Sequence, residues 1–145
     1  MIKKILVAYD NGNKAKKALE TAIEIAGGSK AEIHLLVSVK MPDFISTVAT
    51  PDMLKDLEDK SREYFTEILK EPEERVRKEG LPVFSVILQE PPGEAIVRYS
   101  EKEDMDIIVM GSANRGKLER LLLGLGSVSN YVLQHAKRPV LITKG

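Results

Sequence analysis

The sequence predicts an α/β fold: an open, Rossmann-like sheet of five parallel strands with helices on both faces. Three observations carry that expectation. Short apolar runs alternate with stretches of helical period along the whole chain, in the order β-α-β-α-β-α-β-α-β. The short runs are continuously apolar, as strands buried on both faces are. Glycine, proline and Asn/Asp turns stand at the transitions between them.

Ile5-Leu6-Val7-Ala8 is the first strand and Asp10-Asn11-Gly12-Asn13 a turn, with Asn13 placed to cap the first helix. Ala15, Ala18, Leu19, Ala22, Ile23 and Ala26 recur at helical spacing, and Gly27-Gly28 ends that helix. Ile33 to Val39 is the second strand. Met41 to Thr50 is expected as a loop whose Phe44, Ile45 and Val48 cover part of the molecule. A long helix then begins after Pro51, with Leu54, Leu57, Tyr64, Phe65, Ile68 and Leu69 as its buried stripe. Pro72 should kink or break it, because proline lacks the N–H and its ring clashes with the preceding turn. Gly80 closes it, and Val83 to Leu88 is strand three. Pro92 opens the next helix, with Ala95, Ile96 and Tyr99 inward. Ile107 to Met110 is strand four. Val128, Tyr131, Val132 and His135 belong to a last helix, and Val140 to Thr143 is strand five. In open sheets of this kind ligands bind beyond the carboxyl ends of the strands, near a topological switch point. The loops after strands one and four are therefore where a site is expected.

A chain of 145 residues fits one domain, 1–145, with a core large enough to need no staples. Lys plus Arg balances Asp plus Glu, 22 against 22, so no broad field draws it to nucleic acid or an anionic membrane. Cysteine is absent, which excludes disulfides and thiolate metal sites. The opening apolar run is too short for a signal peptide, and none approaches the ~20 residues of a membrane span. The expected location is the cytoplasm.

Strand four runs into Gly111-Ser112-Ala113-Asn114-Arg115-Gly116-Lys117, and further on into Gly124-Leu125-Gly126-Ser127-Val128-Ser129. Glycines let backbone N–H groups approach phosphate oxygens, since no Cβ intervenes. Gly126-Ser127 stands at the start of the last helix, where free N–H groups and the helix dipole favour an anion, and Ser127 and Ser129 add hydroxyls. The bland alternative is that the glycines only make turns and allow close helix–sheet packing. Gly111 to Lys117 also fits the first seven positions of the P-loop pattern, but Leu118 replaces the hydroxyl residue that would ligate Mg²⁺.

At this loop the chain resembles the universal stress proteins over essentially its full length. Lys4 to Asp10 is similar to the family's opening strand and acidic residue. Asp106 to Ser112 resembles the strand entering the nucleotide loop. Gly126 to Leu133 and Arg138 to Ile142 resemble the closing helix and strand. The ATP-binding branch carries G-x2-G-x9-G-[ST], which this chain meets in one of two registers. Gly116 followed after nine residues by Gly126-Ser127 is favoured, because it keeps the Gly–Ser pair at the helix N-terminus. Gly111-x2-Asn114-x9-Gly124 is the other, with Asn for a glycine and Leu125 for the hydroxyl residue.

The resemblance implies strand order 3-2-1-4-5 and a homodimer through Val140, Leu141, Ile142 and Thr143. It implies ATP or AMP as ligand, the need for Mg²⁺ being open. Asp10 would face the ribose or a metal-bound phosphate, and the backbone near Val39 the adenine. Gly111, Asn114, Arg115, Gly116, Gly126, Ser127, Val128 and Ser129 complete the expected nucleotide site. No metal ligands are expected: His34 and His135 have no second ligand nearby in sequence. Lys14, Lys16 and Lys17 read as the solvated face of the first helix, and no catalytic base is evident. The leading function is a nucleotide-binding regulatory protein with at most very slow ATPase activity. A P-loop-like ATPase or phosphotransferase, and a family member that has lost nucleotide binding and acts through dimer contacts, are the alternatives.

Overall fold

The computed structural model describes residues 1–112 and 128–144. The elements run β1 (Lys4–Ala8), α1 (Asn13–Gly27), β2 (Glu32–Ser38), α2 (Asp43–Val48), α3 (Pro51–Lys78), β3 (Val83–Leu88), α4 (Pro92–Lys102), β4 (Ile107–Gly111), α5 (Val128–His135) and β5 (Val140–Thr143). All paired strands are parallel, in the order β3-β2-β1-β4-β5. The expected fold class and strand order are both observed.

The sheet is buried on both faces, and strand alternation divides the core into two layers. Ile5, Val7, Ile33, Leu35, Val37 and Val109 pack with α1 and α3 on one face. Leu6, Leu36, Ile108 and Met110 pack with Ile96 of α4 and Val132 of α5 on the other. This explains why the central strands are uninterrupted apolar runs: Ile5, Leu6 and Val7 are all fully buried although they point to opposite sides. All six α1 residues expected to face inward are buried.

Three local expectations are corrected. The segment 41–50 contains a helix, α2, and its Phe44 and Val48 are 70% and 78% exposed rather than covering anything. Helix α3 runs through Pro72 without a break. The proline ring is buried between Leu69 and Val76 on the sheet-facing stripe, so apolar burial offsets the missing hydrogen bond. Of the stripe read from the sequence only Leu69 is fully buried; Phe65 and Ile68 are partly buried against the core, while Leu57 and Tyr64 are exposed. The end of α3 is as expected: Gly80 has φ +74°, its N–H donates to the Arg77 carbonyl, and the Leu81 N–H donates to the Val76 carbonyl. That pairing satisfies the last carbonyls of the helix and needs a residue tolerant of positive φ.

His34 plays a structural role. It is 6% exposed within β2, with Nδ1 3.0 Å from the Tyr99 hydroxyl and Nε2 3.0 Å from Glu32 Oε1. Its ring stacks on Phe84 at 4.9 Å between centroids.

Candidate functional site

The strand order reverses at β1: the chain moves from β1 outward to β2 and β3, then crosses back to β4 and β5. Helices α1 and α4 leave this crevice on opposite faces of the sheet, so their first turns stand apart above the carboxyl ends of the strands. The result is a cleft of about 320 Å³ bounded by β1, β2, β4, α1, α4 and α5. That size is at the low end of small-molecule sites, roughly 300–1,000 Å³.

Its walls differ in chemistry. The α1 side contributes Asp10, Asn13, Lys14 and Ala15, and the α4 and α5 side contributes Pro92, Ile96, Val128 and Ser129. The floor is Leu36 and Ser38 from β2, Ala8 from β1, and Met110, Gly111 and Ser112 at the end of β4. The first wall therefore suits polar or charged groups, and the second, apolar except for Ser129, suits a flat apolar group.

The turn after β1 is built by Asp10 and Asn11. Asp10 Oδ1 accepts the Gly12 N–H at 2.9 Å, an Asx turn, and Asn11 takes φ +68°, a conformation its short polar side chain tolerates. The N-cap of α1 is Gly12, which has no side chain to accept a capping hydrogen bond, and Asn13 is the first helical residue; the expected Asn13 cap is thus corrected. The Asx turn explains the shift, since it holds Gly12 extended at the point where the helix begins. No acidic residue occupies the first turn of α1, so the positive end of the helix dipole is not neutralised from within. Tyr9, beneath this turn, is buried, and its hydroxyl lies 3.4 Å from Asn11 Oδ1. Burial pushes the Tyr9 phenol pKa up, and the nearby Glu71 and Asp10 carboxylates push it further.

Gly111 has a packing reason for being glycine. A Cβ there would lie 2.7 Å from Lys14 Cβ and 3.0 Å from the Lys14 carbonyl oxygen. The first turn of α1 is pressed against the end of β4 and needs that space. The same contact seats Lys14 at the cleft, where its Nζ is 3.1 Å from Ser112 Oγ. The reading of Lys14 as a solvated surface residue is thereby corrected: it is half-buried and lines the cleft, while Lys16 and Lys17 are exposed. Helical phase alone assigns it outward; only the position of β4 turns the first turn of α1 into a wall.

Of the residues expected from the sequence, Asp10, Gly111, Val128 and Ser129 come together around this cleft. Val39 does not line it: its backbone N–H donates to the Leu88 carbonyl at 2.9 Å and its side chain packs toward α1 and α3. Ser38, one residue earlier, takes its place on the floor, with Oγ donating to the Glu90 carbonyl at 2.7 Å. Asn114, Arg115, Gly116, Gly126 and Ser127 lie outside the described residues. Sequence reading missed Lys14, Ser38 and Ser112. The one signal that could have found Lys14 is its place in the first turn of the helix leaving the switch point. Among the described residues no cluster of three or more His, Cys, Asp or Glu side chains could hold a metal ion. Among the same residues no helix is long and apolar enough to cross a membrane.

Comparison with known proteins agrees with this geometry. The model of the universal stress protein family matches residues 1–144. The universal stress protein MJ0577 of Methanocaldococcus jannaschii is 32% identical over 158 residues, covering 99% of this chain and 96% of its own. Its solved structure superposes with a TM-score of 0.85 over 100% of this chain and 97% of that one. Two more distant structures share the fold. One is a universal stress protein in complex with cAMP, with TM-score 0.73, 21% identity, and 99% and 97% of the two chains covered. The other is an Arabidopsis thaliana family member with AMP bound, with TM-score 0.67, 18% identity, and 98% and 91% covered. With its full-length match to the family model and its strand order and switch-point cleft in place, the chain belongs to the universal stress protein family.

Proposed function

We propose that this protein binds an adenine nucleotide, ATP or AMP, in the switch-point cleft and acts as a regulatory module with little or no hydrolysis. The observation that carries the reading is the cleft itself, with a polar wall at Asp10 and Lys14 facing an apolar wall at Pro92, Ile96 and Val128. A nucleotide has that division: a flat base suited to the apolar side, and ribose hydroxyls and phosphates suited to the polar side. The cAMP and AMP held by two proteins of this fold support the choice of ligand class. Asp10 Oδ1 is committed to the Gly12 N–H, which favours a role in the turn and in contacting ribose over activation of water.

A homodimer through β5 belongs to the same proposal. The Ile108 N–H donates to the Pro139 carbonyl and the Ser112 N–H to the Thr143 carbonyl, both at 2.9 Å. In a parallel ladder this leaves the backbone groups of Val140 and Ile142 facing the outer edge. The other edge is partly blunted, since Arg62 Nη1 donates to the outward Ile87 carbonyl at 3.2 Å. Location in the cytoplasm is consistent with this role and is proposed with it.

The test is calorimetric titration of the purified protein with ATP, AMP and cAMP, followed by a steady-state phosphate-release assay. Binding of at least one nucleotide with turnover far below the enzymatic range, roughly 1 to 1,000 per second, is expected. Failure to bind any of the three at about 1 mM would remove the reading, because the affinity would then be too weak to measure occupancy.

A further inference from the structure

We infer that the first half of α3 is a docking face for a partner protein, and that its occupant is an amphipathic helix carrying a row of lysine or arginine beside an apolar stripe.

Three stripes run along this part of the helix. Leu54, Phe65 and Ile68 form the inward one, half-buried, with Phe65 and Ile68 packed on the core. Arg62, on one flank of it, donates to the Ile87 carbonyl of β3 at 3.2 Å, which fixes how the helix is turned. On the other flank Met53, Leu57 and Tyr64 fall within about 40° of one another around the helix axis, and all three are exposed. Beyond them Asp52, Asp56, Asp59, Glu63 and Glu67 recur at helical spacing as one acidic row, every member exposed. Helix α2, directly upstream, adds Phe44 and Val48, one turn apart and also exposed.

Single exposed apolar residues are ordinary on a protein surface, whereas an aligned apolar stripe with a polar rim marks an interaction site. The charge beside it selects the occupant. Residues 41–67 hold seven acidic and three basic side chains in a chain that is balanced overall. Lys60 pairs with Asp56 at 3.1 Å and Lys70 with Glu67 at 2.7 Å, but among the described residues Asp52, Asp59 and Glu63 make no ion pair. A second copy docking through the same face about a two-fold axis would set one acidic row against the other. A basic amphipathic helix meets both stripes at once: its apolar side chains cover Met53, Leu57 and Tyr64, and its cations face the acidic row and fix the register. None of these residues lines the switch-point cleft, so the docking face stands independently of the nucleotide reading.

The probe is a fluorescently labelled helical peptide of leucine and lysine in amphipathic register, with the same peptide carrying glutamate for lysine as its control. Anisotropy titration of the full-length protein should show the lysine peptide bound at least ten times more tightly than the glutamate peptide. Met53→Ser combined with Tyr64→Ser should weaken that binding about tenfold. Asp59→Asn combined with Glu63→Gln should weaken it as well and reduce its dependence on salt. Leu133→Ser combined with Glu24→Gln, which removes an exposed leucine and an exposed acid elsewhere, should leave it unchanged. Circular dichroism melts confirm that each variant is folded; because the two test variants alter different exposed stripes, loss of one to misfolding leaves the other decisive. Equal affinity for the two peptides, or no binding of either, overturns the inference. So does wild-type affinity in a folded test variant, or an equal loss in the Leu133 and Glu24 control. Light scattering that shows self-association abolished by Met53→Ser with Tyr64→Ser would assign the face to a second copy and overturn it too.

Discussion

A Cβ placed on Gly93 would lie 2.8 Å from Cδ1 of Tyr131, so the first turn of α4 and the middle of α5 meet face to face with no room for a methyl group. Gly93 is buried, and the aromatic ring closes over it. Gly93→Ala should force the ring and α5 outward and cost about 1–3 kcal/mol, the usual penalty for overpacking a filled site. Urea denaturation followed by circular dichroism measures it. Because α4 and α5 form the apolar wall of the cleft, nucleotide affinity should fall in parallel; unchanged stability would mean that α5 shifts freely against α4.

The acidic end of β4 ties down the start of β1. Asp106 Oδ2 accepts the N–H groups of Lys3 and Lys4, at 2.8 and 2.9 Å. The Lys3 hydrogen bond, with help from Lys4, the N-terminal ammonium and Arg138, holds the Asp106 carboxyl below its ordinary pKa. A carboxylate depressed in the folded state stabilises it fully above the unfolded value, about 3.9, and this contribution is lost as pH falls through the folded value. Asp106→Ala should cost about 1–2 kcal/mol at pH 7, and the gap from wild type should close in acid. Denaturant titrations of both proteins from neutral pH downward check the sign; a gap that widens in acid would assign the stabilisation to another group.

Asp10 has two separable roles. Asp10→Ala should remove the acceptor of the Gly12 N–H, costing about 1 kcal/mol of stability, and should lower nucleotide affinity. Asp10→Asn keeps an oxygen acceptor for the turn, so stability should stay within about 0.5 kcal/mol of wild type. Affinity that falls in Asp10→Asn without loss of stability places the charge in ligand contact; affinity unchanged in both variants confines Asp10 to the turn.

The β5 edge allows a cleaner test than a charge. Leu141 packs into the α1 layer and Ile142 into the α4–α5 layer, so lysine at either position would strain the core along with any interface. Val140 presents its N–H to the outer edge, and Val140→Pro removes that donor while leaving the ladder to β4 intact. Light scattering should show a dimer for wild type and a shift toward monomer for the variant. A wild-type monomer at micromolar concentration, or a dimer indifferent to the substitution, would place association elsewhere.

Most of the fold was legible because burial on two faces writes itself into sequence as short continuous apolar runs, and amphipathic burial as a helical period. Ala15 to Ala26 and Ile5 to Val7 obey those rules without exception. The rules failed where tertiary contact overrode a local preference. Pro72 continues its helix because its ring is buried on the sheet-facing stripe, and Tyr64 is exposed although its neighbour Phe65 packs on the core. Within the site, local pattern alone was enough to place a turn carrying Asp10 after one strand and Gly111 at the end of another. It carried no sign that these ends would be neighbours of Ser38, or that Gly111 is glycine to admit the backbone of Lys14. Those facts depend on strand order and on how closely α1 approaches β4. Both arise from contacts between residues nearly a hundred positions apart, which periodicity, a property of adjacent residues, cannot encode.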